Sequence, residues 1–330
     1  MEERDIQKEL ENKAKRKELL MNILPFAGLI LITVFFIIVT KGRILRVDNL
    51  ANLVNSMFTI TLASCGAVFV YAHGGLDFSI GSTSGLAQFI CIFMIMKLGL
   101  PVPLGILGAV FIAMAACSIV GLASIKLHIH PFVASLCVKN ITAGLLSVLT
   151  QKAGGQITLD YSRFKIFNSV WLKGMVLVVM VGLGFYLFER TKLGKIQKAI
   201  GGNSRTVEQA GISVRKYKML AYMVLGFCVG IAAFFQMTRI GTVSSSSGSG
   251  LEFDIMIAMV LGGFPMSGGS AAKFRQFVLG GITMTILTNG LTMWGLDVSY
   301  VSLVKGLLLI VLVSVSYDRS IMKQVSIISL

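Results

Sequence analysis

Long runs of apolar residues, interrupted by few charges, alternate with shorter polar segments along most of the chain. A helix rises about 1.5 Å per residue, so about 20 apolar residues cross the roughly 30 Å hydrocarbon core of a bilayer. The pattern therefore predicts ten transmembrane helices. The predicted spans are residues 21–40, 50–72, 78–96, 98–125, 131–150, 170–188, 219–238, 255–272, 276–296 and 298–317.

These runs predict helices rather than the strands of an outer-membrane barrel. Barrel strands alternate apolar and polar residues, whereas runs such as LILITVFFIIV are unbroken. The composition agrees, because 55% of the residues are hydrophobic, 14% are charged and the mean hydropathy is +0.81. Water-soluble domains contain about 25% charged residues, so this composition excludes them. The expected fold class is an all-α integral membrane protein with broken or re-entrant segments and a weak internal repeat.

The basic residues indicate how the chain is oriented in the membrane. Both ends are expected in the cytoplasm, because most Lys and Arg residues outside the spans then lie on the cytoplasmic side. The expected organisation is a cytoplasmic segment 1–20, a transmembrane domain 21–318 and a cytoplasmic tail 319–330. The net charge of +15 indicates contact with anionic lipids of the bilayer or with an acidic partner, not with nucleic acid, since no nucleic-acid-binding module is present.

No catalytic, cofactor or metal site is predicted for this chain. The sequence contains no G-x-x-x-x-G-K-[ST], HExxH or GxSxG motif. His128 and His130 lack neighbouring Cys or carboxylate residues that would complete a metal site. The five cysteines form no CxxC pair and are interpreted as small core residues: Cys65, Cys91, Cys117, Cys137 and Cys228.

Residues 189–218 form a polar stretch that is longer than a turn between two helices requires. Asn203 is a good helix N-cap, residues 204–210 can form about two turns of helix, and Gly211 suits the left-handed residue that ends a helix. This pattern predicts a short helix on the membrane face that binds a partner. The alternative is a solvated basic loop held on lipid.

Two glycine-rich strings resemble each other, GGLDFSIGS at 74–82 and GGFPMSGGS at 262–270. Duplicated halves with glycine-interrupted helices are typical of transport proteins, although chance similarity in a glycine-rich chain is the alternative. Asp77 within the first string either caps the next helix or serves function, because a carboxylate inside the bilayer is costly. The residues singled out in the strings are Gly74, Gly75, Asp77, Ser79, Gly81, Gly262, Gly263, Gly268 and Gly269.

Most polar residues inside the predicted spans are neutral. Lys139 and Lys305 are the only charges well inside the predicted spans. The spans contain no obvious acidic partner for either lysine, which argues against a proton relay. Neutral donors and acceptors suit a neutral, hydroxyl-rich solute, and hydrogen bonds between helices are the alternative role. The candidate pathway residues are Asn52, Asn55, Gln88, Asn140 and Asn289.

Several motifs together resemble one family. They are GGLDFSIGS, HPFV at 130–133, TKLGKIQKAIGGNSRTVEQAGISV at 191–214, GLEFDIMIAMVLGGFPMSGG at 250–269 and SYVSLVKG at 299–306. In this order they are similar to the ribose and galactose type permease subunits of bacterial ABC importers, within the branched-chain and monosaccharide permease superfamily.

The resemblance implies a multi-pass subunit of the bacterial inner or plasma membrane that itself has no ATPase activity. It implies a second permease subunit, an ATP-binding-cassette ATPase that binds ATP and magnesium, and an extracytoplasmic solute-binding protein. The helix after Gly201 and Gly202 would be the coupling helix that docks on the ATPase. The implied coupling residues are Gly201, Gly202, Asn203, Arg205, Glu208 and Gly211.

The sequence departs from the family pattern at three places. Lys139 stands where relatives usually carry an apolar residue, Phe264 and Pro265 replace small polar residues, and the coupling helix is the polar RTVEQAG. A sugar, a nucleoside or another polar solute is therefore open. The alternatives to an importer are an ion-gradient-driven secondary transporter and, more distantly, a membrane scaffold or an intramembrane enzyme.

Overall fold

The computed structural model describes residues 23, 25–160 and 164–316. The predicted segments 1–20 and 319–330 lie outside the described residues. Within the described chain the fold is helical, with one pair of short strands. The helices are α1 (Pro25–Val39), α2 (Val47–Ala72), α3 (Ile80–Met96), α4 (Val102–Lys126), α5 (Pro131–Lys152), α6 (Val170–Phe185), α7 (Lys192–Gly202), α8 (Ser204–Gln209), α9 (Val214–Ile240), α10 (Leu251–Leu261), α11 (Phe274–Met293) and α12 (Val298–Ser316).

Five of these helices are long and apolar enough to cross a membrane. They are α2, α4, α5, α9 and α6 extended by the π-helical turn Tyr186–Arg190. Helices α1, α3 and α12 contain shorter apolar stretches. The prediction of a helical fold is therefore confirmed, and the five long apolar helices are consistent with an integral membrane protein.

The predicted span 255–272 is wrong as a single helix. Helix α10 begins earlier, at Leu251, and ends at Leu261. Gly263 and Gly268 adopt left-handed backbone angles (φ +72° and +71°), and Pro265 between them has no backbone N–H to donate. The chain consequently turns between 262 and 273 instead of continuing as a helix.

Helices α2 and α9 lie in the centre of the bundle, and glycines on α9 allow it to approach α4 closely. Helix α9 runs antiparallel to α4, and a Cβ atom at Gly226 or Gly230 would lie 2.5 Å from the Cα of Met114 or Val110, respectively. The GxxxG spacing on α9 thus brings two backbones together, as small residues do in membrane helices. Helix α9 also runs antiparallel to α2, where Phe58 packs on Phe235 with ring centroids 4.6 Å apart.

The two strands lie at the end of the bundle where α5 ends and α9 ends. β1 (Gln156–Thr158) pairs antiparallel with β2 (Thr242–Ser244), and Ile157 lies opposite Val243. Leu159 continues the pairing by donating its backbone N–H to the Gly241 carbonyl at 2.8 Å. The pair therefore fastens the loop after α5 to the loop after α9.

The cysteines follow the prediction in four cases out of five. Cys65, Cys91, Cys117 and Cys228 are buried, whereas Cys137 is exposed. Cys137 lies on the outer face of α5 together with Ile141, which is 60% exposed. The interpretation of Cys137 as a core residue is wrong, because the sequence shows the apolar character of α5 but not which side faces its neighbours.

We expect Gly230→Val to destabilise the bundle, because its side chain would overlap the backbone of α4 at Val110. Overpacking of this kind costs on the order of 1–3 kcal/mol. The measurement is the thermal unfolding midpoint of the purified protein in detergent. Gly182→Val on α6 is the control, since a Cβ there meets nothing within 4 Å. Equal midpoints for both variants would contradict the role assigned to α9–α4 contact.

Candidate coupling surface and polar cavity

The stretch 189–218 folds into two short helices with defined caps. Asn203 Oδ1 accepts the backbone N–H groups of Arg205 (3.0 Å) and Thr206 (3.2 Å), which starts α8. Gly211 ends it in a left-handed conformation, with φ +76°, and donates its N–H to the Glu208 carbonyl. The predicted cap, helix and terminating glycine are confirmed, with α8 ending at Gln209.

Helix α8 is held by a small apolar core and leaves its polar side exposed. Ile200, Val207 and Val214 are buried against one another, one each from α7, α8 and α9. Arg205 and Glu208 are exposed. We call the exposed side of α8, carrying Asn203, Arg205 and Glu208, the α8 surface.

Backbone segments from three parts of the chain meet at the C-terminal end of α2. The Ala72 carbonyl accepts the Gly269 N–H at 2.9 Å. A Cβ at Gly201 would overlap both the Ala72 carbonyl and Gly269, and one at Gly268 would overlap the Ala72 carbonyl. We call these four residues the glycine junction. Only glycine permits this backbone-to-backbone contact between α2, α7 and the turn 262–273.

The other predicted motif glycines have varied surroundings. Gly74 (φ +80°) approaches the Ser267 carbonyl, and a Cβ at Gly75 would lie 2.9 Å from the His73 ring. Gly81 packs against the Glu252 carboxylate and Gly262 against the Gln276 carbonyl. Gly263 has a left-handed backbone, with φ +72°. Gly202 is different, since a Cβ there would meet nothing within 4 Å, so no close contact requires glycine at this position.

Side chains reinforce the glycine junction. His73, which follows α2, has its Nδ1 atom 2.9 Å from Gln197 Oε1 and 3.1 Å from the Phe69 carbonyl. Because both partners are oxygen acceptors as assigned, Nδ1 carries the hydrogen and donates. Gln197 Nε2 in turn donates to the Tyr217 carbonyl at 2.6 Å. Burial, with a smaller effect of the Lys218 charge, lowers the pKa of His73 to about 4, so the ring is neutral at neutral pH.

A second connection ties α7 to the start of α11. Glu189 accepts the backbone N–H of Phe274 at 2.8 Å with one carboxylate oxygen. Its other oxygen pairs with Lys198 of α7. The end of α6, the helix α7 and the first residue of α11 are therefore joined through one carboxylate.

Asp77 holds a turn rather than capping a helix. Its Oδ1 atom accepts the backbone N–H (2.8 Å) and the hydroxyl (2.6 Å) of Ser79, which is itself the N-cap residue of α3. The expectation that Asp77 accepts N–H groups from the first turn of α3 is therefore wrong. The side chain is 1% exposed, and its Oδ2 has no hydrogen-bond partner within the described residues.

The two lysines inside the spans have acidic partners, contrary to the expectation from the sequence. Lys139 pairs with Glu252 and Lys305 pairs with Asp254, each at 2.7 Å. Both carboxylates belong to the first turn of α10, which lies before residue 255, where the predicted span begins. The sequence did not indicate these two partners, because Glu252 and Asp254 lie outside the charge-free run that defines the predicted span.

A third lysine inside a helix was also missed. Lys173 in α6 is 1% exposed, and its ammonium donates to the side-chain oxygens of Asn55 (2.8 Å) and Asn168 (2.6 Å). Asn55 thus binds a lysine. The structure gives no reason to place it in the solute pathway.

A polar cavity of about 400 Å³ lies between α2, α9, α10 and α11. Its polar lining residues are Asn52, Ser56, Thr59, Gln236, Arg239, Ser249, Asp254, Thr285, Thr288, Asn289 and Thr292. Two of the predicted pathway residues, Asn52 and Asn289, are among them. The helical spacing of Asn52, Ser56 and Thr59 places them on one face of α2, and this periodicity was the signal available in the sequence.

The remaining candidate residues lie elsewhere. Gln88 is fully buried and donates to Gln236 Oε1 at 3.1 Å, so it stands behind a cavity-lining residue. Asn140 is exposed on α5. At the far end of the cavity from the glycine junction, Asn289 exchanges two side-chain hydrogen bonds with Asn49, of 3.0 and 3.1 Å.

Comparison with known proteins gives the class of protein. The family model described as branched-chain amino acid transport system / permease component matches residues 49–313. The chain belongs to this permease family.

Individual relatives agree. The chain is 28% identical over 303 residues to the ribose import permease protein RbsC of Bacillus subtilis, covering 89% of this chain and 92% of the relative. It is 23% identical over 305 residues to RbsC of Escherichia coli K12, covering 88% and 92%. It is 29% identical over 301 residues to the autoinducer 2 import system permease protein LsrC of an Enterobacter strain, covering 89% and 86%.

These relatives establish the chain as a permease subunit of the ABC-importer type in a bacterial membrane, and a transporter subunit rather than an enzyme. They favour this assignment over an ion-gradient-driven carrier. The resemblance stated from the sequence motifs is confirmed.

We expect Lys139→Met to destabilise the protein, because it leaves the Glu252 carboxylate, which is 3% exposed, without its cation. A buried carboxylate that loses its cation costs on the order of 3–5 kcal/mol. The double variant Lys139→Met with Glu252→Gln is the control, and its thermal unfolding midpoint should recover part of the loss. A single variant as stable as the unmodified protein would show that the ion pair contributes nothing.

Proposed function

We propose that this subunit moves a neutral, hydroxyl-rich solute inward across the membrane, and that a separate ATPase drives the movement by docking on the α8 surface. The proposal rests on the contacts that anchor the helices lining the polar cavity to the segment that carries α8. Three of them, α2, α9 and α11, each connect at one end to the segment α6–α7 beneath α8 and at the other to the cavity.

Each connection is a specific contact. Helix α2 reaches α7 through the glycine junction and the His73–Gln197 hydrogen bond. Helix α9 reaches it through the Tyr217 carbonyl, which binds Gln197. Helix α11 reaches it through Glu189, which accepts the Phe274 N–H and pairs with Lys198 of α7. A push on α8 and α7 would thus shift three walls of the cavity together, a rigid-body change rather than a chemical step.

The proposed topology has ten crossings with both termini in the cytoplasm. Residues 189–218 then form a cytoplasmic coupling loop rich in Lys and Arg, as the positive-inside rule requires. Helices α3 and α10 are the broken members, since each follows or precedes one of the two glycine-rich strings. We interpret these strings as the remnant of an internal repeat.

The proposed assembly contains two permease subunits, an ATP-binding-cassette ATPase and an extracytoplasmic solute-binding protein. ATP and magnesium would bind to the ATPase, and no cofactor is assigned to this chain. The coupling residues proposed are Gly201, Gly202, Asn203, Arg205, Glu208 and Gly211. Gly201 would act through the junction, whereas Arg205 and Glu208 would contact the ATPase.

The solute is proposed to be a monosaccharide or a nucleoside-like molecule. The relatives are named for the import of ribose and of autoinducer 2, and another is named for galactose and methyl galactoside. The cavity supports this class, because its amides and hydroxyls can donate to and accept from sugar hydroxyls. Its Asp254 is already neutralised by Lys305, and its Arg239 is a cation that can donate hydrogen bonds to hydroxyl oxygens, so the lining disfavours a cationic solute.

We expect the double variant Arg205→Ala with Glu208→Ala to reduce solute uptake and solute-stimulated ATP hydrolysis severalfold, because it removes the two exposed charges of the α8 surface. Solute capture by the external binding protein should be unchanged. Uptake and ATPase assays on the reconstituted importer measure this. The conservative variant Arg205→Lys with Glu208→Asp is the control and should retain most activity. Full coupling in the alanine variant would refute the assigned role of α8.

We expect Asn52→Leu to slow uptake roughly tenfold, because it removes an amide from the cavity lining and narrows the cavity. Loss of a hydrogen bond to a polar solute costs about 0.5–1.5 kcal/mol, and the upper end of this range corresponds to about tenfold in rate. Asn140→Leu makes the same change on the exposed face of α5 and should leave uptake near the unmodified rate. If the two variants behave alike in initial-rate uptake assays, the solute does not pass through this cavity.

A further inference from the structure

An apolar groove opens on the side of the bundle, separate from the polar cavity. Its volume is about 280 Å³. Cys65 and Phe69 of α2 form its floor, and Leu183 of α6 and Leu220 of α9 stand on either side. Leu183 and Leu220 are 52% and 44% exposed, so the groove is open outward. In a membrane protein that side faces lipid tails or another chain.

Basic residues stand at one end of this groove. On α9 the lining residues Leu220 and Val224 are preceded, one turn earlier on the same face, by Lys216. In the π-helical turn that extends α6, the lining residue Leu187 is followed three residues later by Arg190, the last residue of the turn. Both residues are exposed, and neither side chain has a hydrogen bond or an ion pair within the described residues. The nearby Lys198, by contrast, is paired with Glu189.

We propose that the groove binds one anionic phospholipid. An acyl chain would lie on Cys65 and Phe69 between Leu183 and Leu220, and the phosphate would lie between Arg190 and Lys216. Basic pockets between membrane helices bind acidic head groups in this way. The two parts of the site match the two parts of such a lipid, because the groove is apolar and its cations lie at one end only.

Charge complementarity selects this occupant over the other ones. A zwitterionic lipid would fill the groove but gain little from Arg190 and Lys216. A free phosphate ion would use the two cations but not the groove. A second copy of this chain carries a net charge of +15 and so offers no excess of acidic groups to pair with the two cations.

The test is native mass spectrometry of the full-length permease in detergent, titrated with phosphatidylglycerol or phosphatidylcholine. We expect one phosphatidylglycerol per chain to bind at least tenfold more tightly than phosphatidylcholine. Arg190→Gln with Lys216→Gln should remove this preference, since each basic residue contributes about tenfold or less to binding of an acidic lipid. Leu183→Trp, which fills the groove, should weaken both lipids.

Matched controls separate the groove from general effects. Lys126→Gln with Lys195→Gln removes the same charge from exposed residues outside the groove, and Leu107→Trp adds the same bulk to an exposed position on α4. Both controls should bind phosphatidylglycerol like the unmodified chain. Millimolar inorganic phosphate should not displace the lipid.

Four outcomes would overturn the proposal. Unchanged binding in Leu183→Trp would place the lipid elsewhere. An unchanged preference in Arg190→Gln with Lys216→Gln would exclude these cations, and displacement by inorganic phosphate would mean that only an anion binds. Loss of dimer in Leu183→Trp, with lipid binding intact, would identify the groove as a contact between two copies.

Discussion

The structure depends on the close contact of three backbone segments around the Ala72 carbonyl. At this point the end of α2, the end of α7 and the turn after α10 touch with no side chain between them. A protein interior is packed too densely to absorb an added methyl group at such a point. The contact therefore makes α7 a rigid extension of the membrane helices, although α7 and α8 lie outside the long apolar spans.

Polar contacts around the junction add to this rigidity. His73, Gln197 and Glu189 each use buried or half-buried atoms to join α7 to a different helix. These bonds are shielded from water, so leaving one unmade is costly. The segment that carries α8 is consequently held by the bundle from several directions, while the outer side of α8 is left free.

The sequence was most informative where one physical signal was sufficient. Apolar length alone predicted the long helices, and the pattern of Asn203 and Gly211 predicted both ends of α8. Prediction failed where the outcome depended on contacts between distant segments. Packing decides which face of each helix meets its neighbours. It therefore decides the partners of Lys139 and Lys305, the exposure of Cys137 and the burial of Lys173. The prediction of a single helix over 255–272 failed because the apolar content of the segment was given more weight than its glycines and its proline at 262–269.

Asn49 and Asn289 exchange two side-chain hydrogen bonds at the far end of the cavity, and these bonds set how easily α2 and α11 could separate there. A hydrogen bond in a protein contributes on the order of 0.5–1.5 kcal/mol net, because water can replace either partner. Two such bonds restrain the N-terminal end of α2 against the C-terminal end of α11, yet thermal motion can break them. Since both side chains are uncharged, separating them leaves no unpaired charge in the membrane. A separation of these two helix ends would therefore cost little, and the reciprocal bonds would favour the same register when they re-form.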